Sequence, residues 1–241
     1  MARSALVLLA LAACWALRAD SREAWPPFLA AASAAPNEEL VRDVWNHATF
    51  ERVVEAPPLR APLPIYEAVI DAPDVLAAAA THLQLTTESA EALPDGGFEL
   101  RGPHGSSAWY RSLSADHRHR VVLSQGTIVV AGIPVNAAVL GDLTISNVDG
   151  TIRQQLNAFV RLQNPVLSWA TKFLLFVLPA LADHELARGF ALAQAVSTWA
   201  DRDPAGFCRW LTTQPPTART QAISQATDVT ACTGAAARLA N

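Results

Sequence analysis

Six histidines, His47, His82, His104, His117, His119 and His184, are the first residues to weigh for metal or acid–base chemistry. The run Asp116–Arg120 (DHRHR) puts His117 and His119 on one face of an extended segment, an arrangement that suits a metal ion. Its arginine neighbours disfavour a bound cation, so the segment reads as a solvated hairpin turn. Asp183–Leu186 (DHEL) resembles the start of a zinc helix but lacks a second histidine four residues on. No phosphate loop, dinucleotide fingerprint or serine nucleophile elbow is present. The sequence therefore assigns no catalytic residue, no metal ligand and no cofactor.

Gln154 is the polar residue with the most to say. It lies on the otherwise apolar face of an extended run, with Ile152, Leu156, Ala158, Val160 and Leu162. A buried amide there must find a partner. In a filled core the partner is protein; in an open cavity it is the polar end of a ligand. Tyr66, Trp109 and Trp169 are further candidates for the walls of such a cavity.

The 3 cysteines bear on compartment. The N-terminus pairs Arg3 with an apolar run, Ala5 to Ala13, that is too short to cross a bilayer, which is the pattern of a secretion signal. Two cleavage readings stand side by side. Leu11-Ala12-Ala13-Cys14 matches a bacterial lipobox, which would lipidate Cys14; the other cut follows Ala19. Either way Cys208 and Cys232 remain as an even pair in an oxidising compartment. A bridge between them would contribute about 3–4 kcal/mol.

Composition narrows the class. The chain has 241 residues, is 51% hydrophobic and 17% charged, and carries a net charge of −4. That is globular, and it lacks the basic excess of a nucleic-acid binder. The most apolar internal stretch, Lys172–Glu185, is interrupted by Pro179. Its uncharged part, Phe173 to Ala182, is about half of the ~20 residues a membrane span needs.

The elements expected along the chain are as follows. Residues 1–19 are the signal, and 20–61 form a helical and proline-rich lead-in. A main domain occupies 62–201, and 202–241 is a weakly patterned tail tied down by the bridge. Ile65–Asp71 alternates like a strand, and Asp71 and Pro73 sit where a helix cap and first turn would be. Strand-like runs then follow, punctuated by PDGG and by Asp149-Gly150, which reads as a two-residue hairpin loop. Stepping out from that loop sets Leu143 opposite Leu156 and Ile145 opposite Gln154, so the apolar faces coincide. One apolar and one polar face imply a sheet covered on one side only. After Pro165 the pattern turns helical, with a short helix near 166–178, a break at Pro179 and a longer helix from about 180 to 201. Gly189 on that helix suggests close approach to the sheet. The fold class is thus α+β: a curved antiparallel sheet of about seven strands gripping a long C-terminal helix.

The segments PIYEAVIDAPDVLAAAATHL and LGDLTISNVDGTIRQQLNAFVRLQNPVLSWATKFLLFVLPALADHELARGFALAQAV resemble the START-like superfamily of polyketide cyclase-like and lipid-transfer proteins. The resemblance spans roughly 62–201. It departs from the superfamily in having one helix after the first strand, where two short ones are usual, and in the 20–60 lead-in. It implies a helix-grip fold whose cavity holds a hydrophobic small molecule or lipid. Peripheral membrane contact or a lipid anchor would accompany export to the periplasm, the envelope or the medium. The other readings are a cavity enzyme of the cyclase or dehydratase type, and a non-catalytic envelope domain binding through the sheet's polar face.

Overall fold

The computed structural model describes residues 26–30, 37–130, 133–163, 170–227 and Cys232. The signal segment, Cys14, Trp169 and the short helix expected to begin at 166 lie wholly or partly outside them. Two helices, α1 (Pro27–Ala30) and α2 (Glu38–Asn46), precede strand β1 (Phe50–Glu55). Helices α3 (Leu63–Ile70) and α4 (Pro73–His82) follow. The strands β2 (Ser89–Ala92), β3 (Phe98–Arg101), β4 (Ser107–Ala115), β5 (His119–Val130), β6 (Ile133–Val148) and β7 (Thr151–Leu162) come next. Helix α5 (Ala170–Arg202) leads to α6 (Pro204–Leu211) and α7 (Ala218–Ala226).

The seven strands form one antiparallel sheet in the order β1-β7-β6-β5-β4-β3-β2. The hairpin read from Asp149-Gly150 is present in the expected register. Val148 pairs with Thr151, Leu143 with Leu156 and Ile145 with Gln154. Both loop residues take positive φ, 52° and 73°, as a two-residue turn of this twist requires.

Ile65–Asp71 is helical, not extended. Pro62 and Pro64 fix the backbone at the entry, and Ile65, Tyr66 and Val69 are buried at helical spacing. Asp71 does not cap α4. Ala72 occupies that position without a side-chain bond, and Asp71 ends α3 instead. Two short helices therefore follow the first strand, which is β1, inside the segment expected to be helical lead-in. A domain boundary at 62 falls too late, because β1 pairs along its length with β7. FERVVE concealed this strand: its alternating charges suit an edge with Val53 in solvent and Val54 buried.

Both sheet faces are covered. The inner face carries Leu143, Ile145, Ile152 and Leu156 against α3 and α5. The outer face carries Val121, Leu123, Ala138, Leu140 and Phe159, packed by Leu29 of α1 and by Val41 and Val44 of α2. Phe159 lies 4.8 Å from the Trp45 ring and 6.4 Å from Phe28. The expectation of a sheet covered on one side fails because this aromatic anchor interrupts the polar face. An interaction domain using that face loses its surface to α1 and α2.

Helix α5 runs through Pro179 without a break. A proline inside a helix forgoes a backbone hydrogen bond, at a cost of about 3 kcal/mol, yet the helix continues to Arg202. The tail is not loose either. Phe207, Trp210, Leu211 and Ile223 join Ile65, Val69, Val75 and Ala79 in one core cluster that closes the far side of the helical layer. Only α7 has little amphipathic contrast; α6 has a pronounced apolar face in Phe207, Trp210 and Leu211. Arg219 of α7 also makes a forked ion pair with Asp74 of α4, at 2.9–3.2 Å.

Cys208 and Cys232 form the expected disulfide, buried and 24 residues apart. A loop of that length limits the unfolded chain enough to contribute about 3.5 kcal/mol. Denaturant unfolding with and without reductant should show that loss, with the midpoint falling on reduction. An unchanged midpoint would mean that α6 and α7 hold without the bond.

Candidate functional site

A cavity of about 410 Å³ opens between α3–α4, the strands β2–β4 with Thr127 and Ile128 of β5 and Leu143 of β6, and α5. Its shape follows from the fold. The short strands β2 and β3 leave the sheet narrow at this end, and small residues, Ala77, Ala108, Gly189 and Ala193, line it where larger ones would fill it. Leu76, Leu100, Leu143, Phe190 and Leu192 make the wall mainly apolar.

Gly189 does not serve close approach, as the sequence suggested. A Cβ built there meets nothing within 4 Å, so the glycine leaves room at the cavity. Close approach is needed elsewhere: a Cβ at Gly126 would lie 2.2 Å from the Ser107 carbonyl oxygen, where β5 meets β4.

Two tyrosines line the cavity. Tyr66 donates its hydroxyl to Gln154 Oε1, and both residues are buried. The Gln154 Nε2 has no hydrogen-bond partner among the described residues. Tyr110 follows from β4, next to Ala108 on the same side of the strand. Near both lies Arg120, whose guanidinium forks onto Asp71 at 3.0 and 3.1 Å. It also reaches Glu67 at 3.4 Å and the Asp116 carbonyl at 2.7 Å. Burial opposes the Arg120 charge, but Asp71 and Glu67 more than offset it and hold the group protonated. This pair ties the end of α3 to the start of β5.

Burial pushes the Tyr66 phenol well above its ordinary range, and pushes Tyr110 up to about 12 from 10.0. Unfolded tyrosines lose their protons near pH 10 while these native ones keep theirs. The unfolded state therefore binds fewer protons above that pH, and stability falls as pH rises, by about 1.4 kcal/mol per unit for each tyrosine. The chain has only 2 tyrosines, so tyrosinate absorbance reads these alone. The native protein should show no titration near pH 10, with absorbance rising only at about 12 or on alkaline unfolding. A normal titration at pH 10 would place the hydroxyls in water.

The mouth is polar. Arg188 of α5 pairs with Glu88 at 2.9 Å and donates to Thr86 Oγ1 at 3.0 Å, joining the helix to the segment before β2. Exposed Leu85 and Ile128 lie close by in sequence to mouth residues.

The structure brings together two of the four expected ligand residues, Tyr66 and Gln154, but only Tyr66 lies on the cavity wall; Gln154 sits behind it. Trp109 faces the other way. Strand alternation puts Ala108 and Tyr110 inside and Trp109 outside, packed with the Leu40 and Val121 cluster under the Arg111 guanidinium at 5.1 Å. Trp169 lies outside the described residues, as do the side chains of 172–182, where the long apolar stretch falls. Arg120 and Tyr110 were missed. The signal for Arg120 was parity: it shares its strand face with Val122, not with the solvent-facing histidines of the turn. The turn itself is as read, with Asp116 Oδ1 accepting from the Arg118 and His119 backbone amides at 2.7 Å, which holds its carboxyl below the usual range. No group of three or more metal-binding side chains assembles among the described residues.

A sheet in the order 1-7-6-5-4-3-2, with two short helices after the first strand and a long helix across its inner face, is the helix-grip arrangement. No family model matches the chain, and no curated protein matches it. Solved structures similar to it include a conserved protein from Geobacillus kaustophilus, at 12% identity and a TM-score of 0.48, covering 63% of this chain and 97% of that one. Ara h 8.0201 is similar at 12% identity and a TM-score of 0.38, covering 60% and 97%. The fold assignment rests on strand order and helix placement, not on these similarities.

Proposed function

We propose that this chain binds a hydrophobic small molecule or lipid in the cavity under α5. The observation that carries the reading is an apolar cavity of about 410 Å³ that the fold builds and does not fill. A volume of this size lies within the usual range of small-molecule sites. Tyr66 and Tyr110 stand in the wall, Gln154 holds the Tyr66 hydroxyl from behind, and Arg188, Glu88 and Thr86 stand at the entrance. The cavity-enzyme reading has less support, because the charged groups lining the cavity, Glu88 and Arg101, are each paired, with Arg188 and Glu99. The N-terminal pattern supports export of the chain, as a lipid-anchored protein through Cys14 or as a secreted one, and the bridge suits that compartment. Among the described residues no helix is long and apolar enough to cross a membrane.

Titration with Nile red, a neutral apolar fluorophore, tests the binding reading. One saturable site in the micromolar range and a raised Tm are expected. Linear, unsaturable fluorescence with no change in Tm would overturn it.

A further inference from the structure

The cavity wall is apolar except at a few side chains, and most of those have their bonding capacity taken up inside the protein. Tyr66 donates to Gln154. Thr86 Oγ1 accepts from Arg188 at 3.0 Å, Thr127 donates to Asn136 at 2.7 Å, and Ser106 accepts from the Val129 amide at 3.2 Å. Glu88 and Arg101 are held in ion pairs, with Arg188 and Glu99. Ser89 and Ser107 are exposed, at the rim, where water serves them.

Tyr110 stands apart. It lines the cavity from β4 beside Ala108, its ring 6.1 Å from that of Phe98. Its hydroxyl makes no hydrogen bond among the described residues. The residue is not fully buried, and its oxygen keeps open surface where the Gln154 nitrogen has none. The phenol stays protonated up to about pH 12, so it can donate under all ordinary conditions. A phenol both donates and accepts, and it is the better donor because the ring shares its lone pairs. The fitting partner is therefore an acceptor with no proton of its own to place. A carboxylate is the wrong acceptor. The field of the Asp71–Arg120 pair reaches this hydroxyl, and Asp71 and Glu67 together outweigh Arg120. An anion brought there would lose its water beside an excess of its own sign. A carbonyl oxygen meets both conditions.

We infer that the ligand carries a carbonyl group, and that the Tyr110 hydroxyl donates to its oxygen within the cavity. This rests on the binding function proposed above. The test is displacement of Nile red at pH 8 by 2-dodecanone and by 2-methyl-1-dodecene, in which a methylene replaces the oxygen. Each variant's own affinity for the dye enters the calculation. Tyr110→Phe removes no hydrogen bond of the described fold. It should weaken the ketone about 3- to 10-fold and the alkene less than about twofold. Tyr66→Phe removes a hydroxyl already committed to Gln154, and should keep the wild-type ratio of ketone to alkene. The infrared carbonyl stretch of bound 2-dodecanone should lie lower in the wild type than in Tyr110→Phe, which a structural role for the tyrosine would not produce. An equal effect of Tyr110→Phe on both ligands, or one carbonyl frequency in both proteins, would overturn the inference. So would dodecanoate competing better than the ketone. With Nile red still bound, each of these results leaves the binding function standing. Failure to bind Nile red at all sinks both.

Discussion

Gly189→Trp should weaken Nile red binding about 30-fold or more while leaving the protein folded, and Gly189→Ala should leave binding nearly unchanged while raising stability. A methyl group there touches nothing within 4 Å, so alanine removes the glycine's conformational cost and stabilises the helix by about 1 kcal/mol. An indole has a choice between water and the apolar cavity beside Leu192 and Phe190. Burying some 150–250 Å² of aromatic surface favours the cavity by several kcal/mol, and an indole lodged there takes the ligand's place. The pair of variants separates occupancy from stability, which a single substitution cannot do. Binding retained by Gly189→Trp would mean that the ligand lies elsewhere.

Phe159→Ala should destabilise the chain by about 3–5 kcal/mol, a fall in Tm on the order of 10 °C for a chain of this size. Phe159 is 9% exposed and fastens α1 and α2 to the outer face through Phe28 and Trp45. Its truncation leaves a hole between layers that α2 cannot close without leaving Val41 and Val44 partly wetted. Thermal unfolding of the variant reads the cost directly. A loss below about 1 kcal/mol would show that the outer helices contribute little to the folded state.

The parts of this fold that were legible in the sequence are those whose local pattern and tertiary environment agree. The β6–β7 hairpin is one: Asp149-Gly150 permits only one tight turn, and the two apolar faces meet in a single register. The C-terminal part of the long helix, from about 180 on, and the cysteine pair are others, set by period and by parity of count; the helix's continuity through Pro179 was not. What the sequence hid was decided by contacts remote along the chain. Ile65–Asp71 alternates well enough to be a strand, but flanking prolines and burial between α5 and α7 make it a helix. β1 hid behind its charges because an edge strand needs only one apolar face in part.

The candidate site divides in the same way. Gln154 was visible as one polar residue out of phase with its strand face, and Tyr66 only as an aromatic residue in a segment that reads as a strand. Arg120 was not, because a run of histidines and arginines reads as solvent. Its burial depends on Asp71, 49 positions earlier in the chain, arriving from another element. Trp109 misled for the opposite reason: aromatic character suggested a cavity wall, while the pleat of β4 sends it to the outer face. Gly189 was noticed but explained wrongly, since sequence cannot distinguish a glycine that admits a neighbour from one that leaves a space.

That the space under α5 holds an apolar molecule is tested most directly by mass spectrometry of the purified, full-length protein after exposure to a total lipid extract. Native spectra should show the chain carrying one small-molecule adduct, and denaturation with organic solvent should release one equivalent of an apolar compound. A chain that emerges without an adduct, and whose Tm no apolar compound raises, would contradict the account.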